Sequence, residues 1–443
     1  MRLKLFVQGL FWIFVYILMT IAPLLILLTG EVPQGREFWR ELSVAFGFAG
    51  LAMMALQFVL TARFKVIKAP YGADVVYHFH RQISYVALLL ILAHPLLLFI
   101  NSPETLNLLN LITAPWRARA GVTTVLILVI MIGVSVWRKN IKFEYNQWRI
   151  WHGIMAIIVV ILAMTHVVLA GHYINTPIKQ ALWIGYGAFW VGLLLYVRII
   201  KPVMLLRKPY QVDHVKAERG NAWTLTVEPV EHSGMNFIPG QFAWLTAWES
   251  PFADGEHPFS ISSSAAQNEK LSFTIKELGD FTSTIKDMKK GQKVYLDGPF
   301  GAFSINRHPH AKGYVFIAGG IGITPIMSML RTMKDRADTR PLVLIYGNNK
   351  WEEITFREEI AELERHLNLK VIHVLAFPPE DWQGEQGFIT AEILDRYLPE
   401  ERKTNVYEVF LCGPPLMMDI VEQLLPEVGV SLGDFHSERF DLV

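Results

Sequence analysis

The sequence predicts a membrane protein that combines a six-helix transmembrane bundle, an antiparallel β-barrel domain and a parallel-sheet α/β domain. Long apolar runs dominate residues 1–204, although hydrophobic residues make up only 52% of the 443-residue chain. The rest of the chain mixes charge, glycine and proline, first in short β-rich stretches and then in strand–turn–helix units. These changes in pattern predict three domains, at residues 1–204, 205–310 and 311–443.

Six apolar segments are long enough to cross a hydrocarbon core of about 30 Å. The first segment follows Arg2 and Lys4, as the apolar part of a signal peptide would. Its apolar run is too long for a signal peptide, and no small-residue cleavage site follows before Glu31, so we expect a retained span. The six predicted spans cover residues 5–29, 41–61, 76–100, 121–137, 148–170 and 181–200.

Basic residues are distributed unequally between the two sides of the predicted bundle. One side carries Arg2, Lys4, Arg63, Lys65, Lys68, Arg138, Lys139, Lys142, Lys201, Arg207 and Lys208, whereas the other carries Arg36, Arg40, Arg117, Arg119 and Lys179. Cytoplasmic loops hold the excess of Lys and Arg in membrane proteins. We therefore expect a multi-pass protein of the plasma or inner membrane with both termini in the cytoplasm.

Four histidines lie at matched depths in the third and fifth predicted spans. His80 and His94 are 14 residues apart, and so are His152 and His166. On a helix this spacing places both members of a pair on one face, about 21 Å apart along the axis. Because the two spans run in the same direction, His80 lies at the depth of His152 and His94 at that of His166. Imidazole is an axial ligand of haem iron, so the pattern predicts two haems, one in each leaflet.

Hydrogen bonding between helices is the alternative explanation for intramembrane histidines. Two equal spacings on helices that run in the same direction favour the metal-ligand interpretation. His78 lies 16 residues before His94, which turns it away from the shared face, so we interpret it as interfacial. 

Composition excludes several other classes. The single cysteine, Cys412, excludes an intrachain disulfide, covalent C-x-x-C-H haem attachment and a cysteine-ligated iron–sulfur cluster within one chain. The net charge of +1 gives no reason to expect a nucleic-acid partner.

The second part of the chain changes from barrel-like strands to α/β units. Residues 223–230, 241–248 and 271–278 are predicted strands of the barrel. The α/β part is predicted to contain strands at 314–318 and 341–349, a helix at 352–367, and a strand–turn–helix unit at 407–425. The glycine-rich turn between Gly319 and Pro325 would let a pyrophosphate approach a helix N-terminus. Tight strand–helix packing would explain the turn equally well, and it does not match G-x-G-x-x-G.

Six short motifs follow one another in the order found in ferredoxin–NADP-reductase-like flavoproteins. They are PGQF (239–242), HPFS (257–260), GDFT (279–282), DGPFG (297–301), GGIGITP (319–325) and CGPP (412–415). With a six-span domain and paired histidines added, the chain resembles the NADPH oxidase and ferric reductase superfamily, and in particular a minimal bacterial-type member. The resemblance implies FAD, two haem b groups held by His80, His94, His152 and His166, and NADPH or NADH as electron donor.

The resemblance also implies roles for single residues in the second part of the chain. Ser260 would lie near the flavin ring and His257 towards the phosphates, while Lys276 and the Gly279–Thr282 turn would hold the FAD pyrophosphate. The residues implied to bind FAD are His257, Pro258, Phe259, Ser260, Lys276, Gly279 and Thr282. The residues implied to bind the nicotinamide nucleotide are Gly319, Gly320, Gly322, Thr324, Pro325, Gly413 and Pro414.

Two further residues are implied to act where hydride passes from the nicotinamide to the flavin. Cys412 would lie near the nicotinamide, and Phe440 would stack on the flavin until the nicotinamide displaces it. Many relatives carry an arginine for the NADP 2′-phosphate where this chain has Gly347-Asn348-Asn349-Lys350. Lys350 or Arg357 could replace it, so the sequence leaves the choice between NADPH and NADH open.

The implied activity is electron transfer from NAD(P)H, through FAD and the inner and outer haems, to an extracytoplasmic acceptor. By resemblance we expect dioxygen, giving superoxide, ahead of ferric iron. A redox subunit that serves a partner protein or quinone is a second hypothesis. A transporter that relays protons through its histidines is a third, although transporter sites usually have broken helices. The sequence does not indicate the oligomeric state.

Overall fold

The computed structural model describes residues 2–62, 73–247, 250–252, 255–267, 269–401 and 407–439. The chain forms two compact units that divide between Lys201 and Pro202. The first unit is helical, and the second contains two β-sheets.

The first unit contains six helices that are long and apolar enough to cross a membrane, which confirms the predicted number of spans within the described residues. The sixth helix continues through a π-helical turn, Tyr196–Ile200, into a short seventh helix. The seven helices are α1 (Arg2–Leu27), α2 (Phe38–Thr61), α3 (Ala73–Asn101), α4 (Trp116–Trp137), α5 (Tyr145–Ala170), α6 (Pro177–Leu195) and α7 (Lys201–Leu206). The predicted spans fall inside α1 to α6 except at their ends.

Apolar side chains both hold this bundle together and cover its outside. Leu128 of α4 and Val159 of α5 are buried in one cluster that Ile91 of α3 also contacts. On the outside, large apolar side chains such as Leu89 and Ile130 are exposed. Lipid tails are as apolar as these side chains, so the exposed residues suit a hydrocarbon environment.

The first sheet of the second unit is antiparallel and closes into a barrel. Its strands are β1 (Tyr210–Glu218), β2 (Ala222–Pro229), β3 (Phe242–Thr246), β4 (Glu256–Ser260), β5 (Leu271–Lys276) and β6 (Lys293–Phe300), in the order β4-β3-β6-β1-β2-β5. A bridge between Ile261 and Phe273 joins the two edges. The short helix α8 (Asp280–Ser283) follows β5. Inward-facing side chains, including Leu225 and Leu296, fill the barrel.

The second sheet is parallel throughout and carries helices between its strands. Its elements are β7 (Gly313–Gly319), α9 (Ile323–Asp335), β8 (Leu342–Asn348), α10 (Arg357–His366), β9 (Leu369–Leu375), β10 (Glu385–Gln386), α11 (Ala391–Tyr397), β11 (Tyr407–Cys412), α12 (Pro415–Glu427) and β12 (Phe435–Ser437). The strand order is β10-β9-β8-β7-β11-β12. The carboxyl ends of β7 and β11 are neighbours, which is where ligands bind in such folds.

One predicted helix starts later than the sequence suggested. We expected a helix from residue 352, but α10 begins at Arg357 because Phe356 adopts a left-handed backbone, with φ of 62°. Such a conformation is unfavourable for a bulky residue. The Phe356 ring is buried, and the Arg331 guanidinium lies 4.9 Å from its centre. Tertiary packing therefore overrides the local preference for helix.

Helix α9 connects the barrel and the parallel sheet. Arg331 donates to the carbonyl oxygen of Ser262 (2.6 Å) and makes a two-pronged contact with Glu359 (2.7 Å to each oxygen). The Ser328 hydroxyl donates to the carbonyl oxygen of Ser263 at 2.8 Å. These bonds fix the barrel against the helix that follows the glycine-rich turn.

Candidate functional site

The imidazole rings of His94 and His166 face each other between α3 and α5. Their centres are 6.2 Å apart, with 65° between the ring planes. Two metal–imidazole bonds of about 2 Å each, with the distance from each ring centre to its nitrogen added, come to about 6 Å. The spacing therefore fits a single metal ion between these two histidines.

Hydrogen bonds orient both rings of this pair. The Nδ1 atom of His94 lies 3.0 Å from both the carbonyl oxygen and the hydroxyl oxygen of Ser43. The Nδ1 atom of His166 lies 2.7 Å from the carbonyl oxygen of Arg117. A carbonyl oxygen only accepts, so Nδ1 carries the proton and Nε2 presents its lone pair as a ligand.

The rings of His80 and His152 also have hydrogen-bond partners at Nδ1. The Nδ1 atom of His80 lies 2.8 Å from Oε1 of Gln57. The Nδ1 atom of His152 lies 3.2 Å from the hydroxyl of Ser135, which donates its own proton to the carbonyl oxygen of Met131 (2.7 Å). Each of the four predicted ligands therefore has an acceptor at Nδ1, as metal-binding histidines do.

These partners were absent from the sequence analysis. Ser43 and Gln57 lie on α2 and are 14 residues apart, the same spacing as the histidines they contact on α3. That repeated spacing was a signal the sequence contained. The carbonyl oxygen of Arg117 had no such signal, because every residue has one.

Two glycines allow the rings of His94 and His166 to pack closely against neighbouring helices. A Cβ atom at Gly47 would lie 3.2 Å from Cγ of His94, and one at Gly121 would lie 2.8 Å from Nδ1 of His166. Real Cβ atoms do not approach this closely without a shift of the neighbour. Glycine at these positions therefore helps to set the positions of both rings.

Replacing Gln57 with Leu tests the hydrogen bond to His80. Gln57 is buried, so the variant leaves the His80 Nδ1 proton without an acceptor in an apolar bundle. Loss of such a partner weakens a metal site by about 10- to 100-fold. On the sequence prediction that the four histidines bind two haems, we expect haem titration into the purified variant to show one weakened site, and redox titration to show a shifted potential for one haem.

The Ser43→Ala variant is the matched control, because the backbone carbonyl of residue 43 stays 3.0 Å from Nδ1 of His94. It should retain both haems with their original affinities. Equal behaviour of the two variants would contradict a positioning role for Gln57.

The HPFS and GDFT motifs meet at one end of the barrel. The His257 ring stacks on Phe281 with centres 3.9 Å apart and 20° between planes, and Phe259 lies 6.0 Å from Phe281 on a nearly parallel plane. Pro258 and Ser260 belong to the same strand, β4, and Ser260 is buried. The structure thus brings the HPFS strand and the GDFT turn together through the stacked rings of His257, Phe259 and Phe281.

The turn that begins α8 already uses part of its hydrogen-bonding capacity. The Thr282 hydroxyl accepts from the backbone amides of Leu278 (2.8 Å) and Gly279 (2.9 Å). Lys276, the other predicted pyrophosphate residue, ends β5 and is half-buried. A Cβ atom at Gly279 would meet nothing within 4 Å, so space remains beside this turn.

The two predicted nucleotide turns pack against each other at the carboxyl ends of β7 and β11. A Cβ atom at Gly322 would lie 2.3 Å from the carbonyl oxygen of Cys412, and one at Gly319 would lie 2.7 Å from Cδ of Pro414. A Cβ atom at Gly413 would lie 3.1 Å from the amide nitrogen of Gly319. Only glycines permit this approach.

The remaining residues of the glycine-rich turn begin α9. Thr324 and Pro325 are buried in its first turn, and the Thr324 hydroxyl donates to the carbonyl oxygen of Ile321 (2.8 Å). Gly320 has a left-handed backbone, with φ of 50°, and open space around its Cα hydrogen. A close backbone approach to an anion at the start of α9 is thus sterically available.

Cys412 lies at the end of β11 next to an acidic residue that the sequence analysis missed. Burial, and to a lesser degree the nearby Glu438 carboxylate, raises the pKa of the Cys412 thiol, so it stays protonated at neutral pH. Glu438 is itself buried, and its Oε1 would lie 2.9 Å from a Cβ atom at Gly301 of the DGPFG motif. The predicted stacking residue, Phe440, lies outside the described residues.

Three family descriptions match successive parts of the chain. Residues 46–163 match the ferric reductase like transmembrane component, residues 209–304 match an FAD-binding domain, and residues 316–423 match an oxidoreductase NAD-binding domain. The order agrees with the helical bundle, the antiparallel barrel and the parallel sheet.

Individual proteins are similar to about half of the chain. NADH-cytochrome b5 reductase 2 of Pyricularia oryzae is 33% identical over 220 residues, which cover 48% of this chain and 65% of that protein. The reductase component of propane 2-monooxygenase of Mycolicibacterium smegmatis is 30% identical over 243 residues, which cover 52% of this chain and 68% of that protein. The solved structure of a ferredoxin reductase in carbazole 1,9a-dioxygenase is 25% identical in sequence, with a TM-score of 0.46. The match covers 53% of this chain and 69% of that one. The chain thus spans less than two thirds of the first of these relatives.

Proposed function

The chain has the architecture of the NADPH oxidase and ferric reductase superfamily, and from that premise we propose that it passes electrons from cytosolic NAD(P)H to an acceptor across the membrane. In this proposal residues 1–204 hold two b-type haems, 205–310 bind FAD and 311–443 bind the nucleotide. The protein is a multi-pass protein of the plasma or inner membrane with both termini in the cytoplasm, as the excess of basic residues on one side supports.

One observation carries the proposal: four histidines on two helices all have Nδ1 next to an acceptor, which leaves Nε2 for a metal. The 6.2 Å between the rings of His94 and His166 supports a shared iron. His80 and His152 are the pair for the second haem. α3 and α5 continue unbroken past all four histidines, which argues against a transporter site with broken helices.

Electron entry takes place where the two nucleotide turns meet. The Gly319–Gly322 turn and the start of α9 bind the pyrophosphate of the nucleotide, and the Gly413-Pro414 turn orients the nicotinamide. Cys412 remains a neutral thiol there, because burial raises the pKa of its side chain. FAD supplies the conversion of a two-electron donor into single electrons, and haem supplies one-electron carriers within the bilayer.

The acceptor is proposed to be dioxygen, giving superoxide. His94 and His166 would hold the outer haem, and a haem held by two histidines would pass electrons to an acceptor that does not bind the iron. The same geometry would serve a ferric chelate, which is the second candidate. A partner protein or quinone is the third.

Acceptor-resolved kinetics of the purified protein test the proposal. We expect a red protein with a low-spin haem spectrum, two haems and one FAD per chain, and NAD(P)H oxidation with dioxygen alone. Cytochrome c reduction in the same assay should be blocked by superoxide dismutase. Activity only with a ferric chelate would replace dioxygen by iron, and a haem-free active preparation would overturn the haem assignment.

The preferred nucleotide is measured in the same assay. Arg357, one of the two residues considered for a 2′-phosphate with Lys350, stacks on Trp351 (4.7 Å) and shares the carboxylate of Glu358 (3.0 Å) with Arg219 (2.7 Å). A higher kcat/KM for NADPH than for NADH would support a 2′-phosphate contact by one of these two residues.

A further inference from the structure

Two histidines and a glutamate converge at the amino end of the parallel sheet, away from the proposed redox sites. His436 Nε2 lies 2.8 Å from one carboxylate oxygen of Glu408, and His308 Nδ1 lies 3.2 Å from the other. The three ligand atoms all lie within 4.8 Å of one another. They come from three separate segments: the connection before β7, strand β11 and strand β12.

The cluster is partly shielded from solvent, with side-chain exposures of 12% for His308, 13% for Glu408 and 24% for His436. A glutamate carboxylate is ionised at neutral pH, so Glu408 supplies an anionic oxygen ligand. A carboxylate and two imidazoles are the donor set that zinc uses when three protein ligands leave a fourth position for water.

Hydrogen bonds alone also account for these distances, because two neutral imidazoles can each donate one N–H to Glu408. Two imidazolium rings do not, since their centres are only 4.0 Å apart and the charges would repel each other. A divalent cation is the alternative: the ring nitrogens that face Glu408 then carry no proton, and all three side chains bind the ion.

We propose that His308, Glu408 and His436 bind one Zn²⁺ ion, with water at the fourth position. Glu408 pairs with Tyr314 near the start of β7, whereas the nucleotide turn follows Gly319 at its other end. Five residues of strand separate them by about 17 Å. The ion connects β12 to β11 and to the segment that enters β7, and so stabilises the last strand of the sheet.

Zinc titration of tag-free, full-length protein loaded with FAD and haem tests this site. In competition with a chromophoric chelator, the wild type should bind one Zn²⁺ per chain, and zinc should raise the unfolding temperature of the chain. His436→Ala and Glu408→Gln should each weaken binding at least about tenfold and abolish the thermal effect. Retained FAD absorbance shows that a variant is folded.

His310→Ala is the matched control, because His310 is exposed on the same connection as His308. It should bind zinc as the wild type does. Absence of stoichiometric zinc binding by the wild type overturns the proposal, and so does binding that survives Glu408→Gln. Either result would mean that the three side chains form an ion-pair network and bind no metal.

Discussion

Replacing His166 with Leu should reduce the haem content from two to one per chain and abolish reduction of the external acceptor. Leucine supplies no ligand, so His94, whose ring centre lies 6.2 Å from that of His166, would remain as the one histidine of the pair to hold the haem. The variant should still reduce a soluble dye from NAD(P)H at a rate close to that of the wild type, because the flavin and nucleotide residues lie in the other unit.

The measurements are the pyridine haemochrome content, the rate of dye reduction and the rate with the external acceptor. His94→Leu should behave in the same way, since both histidines serve one haem in this proposal. His78→Leu is the control: His78 is exposed on α3, where its ring contacts Arg81 at 3.3 Å. It should retain both haems. Two haems in His166→Leu would show that the pairing of His94 with His166 is wrong.

The helical bundle could be predicted from the sequence because the thickness of a membrane sets the minimum length of each apolar segment. The face shared by His80 and His94 could also be predicted, since helical periodicity is local. The residues that orient these rings were harder to predict from the sequence. Ser43 and Gln57 contact histidines on another helix, so their 14-residue spacing identifies their partners only once α2 is known to pack beside α3.

In the second unit, too, features set by neighbouring residues could be predicted, whereas features set by tertiary packing could not. Glycine-rich turns after apolar strands marked the carboxyl ends of β7 and β11 in advance. The late start of α10 at Arg357 was not predictable, because the left-handed Phe356 is held by packing of its ring against Arg331. Glu438 was missed for a related reason: its position beside Gly301 and Cys412 depends on how the chain returns after β12.

Replacing Gly322 with Ala should lower kcat/KM for NAD(P)H by about 100-fold, the effect expected of a displacement of about 1 Å at a binding turn. The new Cβ would lie 2.3 Å from the carbonyl oxygen of Cys412 and 2.7 Å from the amide nitrogen of Gly413. Both are backbone atoms, so the conflict is relieved only by moving the two turns apart. Stopped-flow measurement of flavin reduction by NAD(P)H gives the rate directly.

Two comparison variants separate this effect from general damage to the sheet. Gly347→Ala lies in β8, paired with Gly319, and its Cβ would make ordinary contacts of 3.6 Å or more, so its kinetics should match the wild type. Cys412→Ala keeps the backbone that Gly322 touches and removes only the thiol, so nucleotide affinity should persist.

Wild-type kinetics in Gly322→Ala would mean that the contact between the turns does not position the nucleotide. Equal loss in Gly347→Ala would assign the effect to the stability of the sheet, because that substitution leaves the contact between Gly322 and the turn after β11 intact.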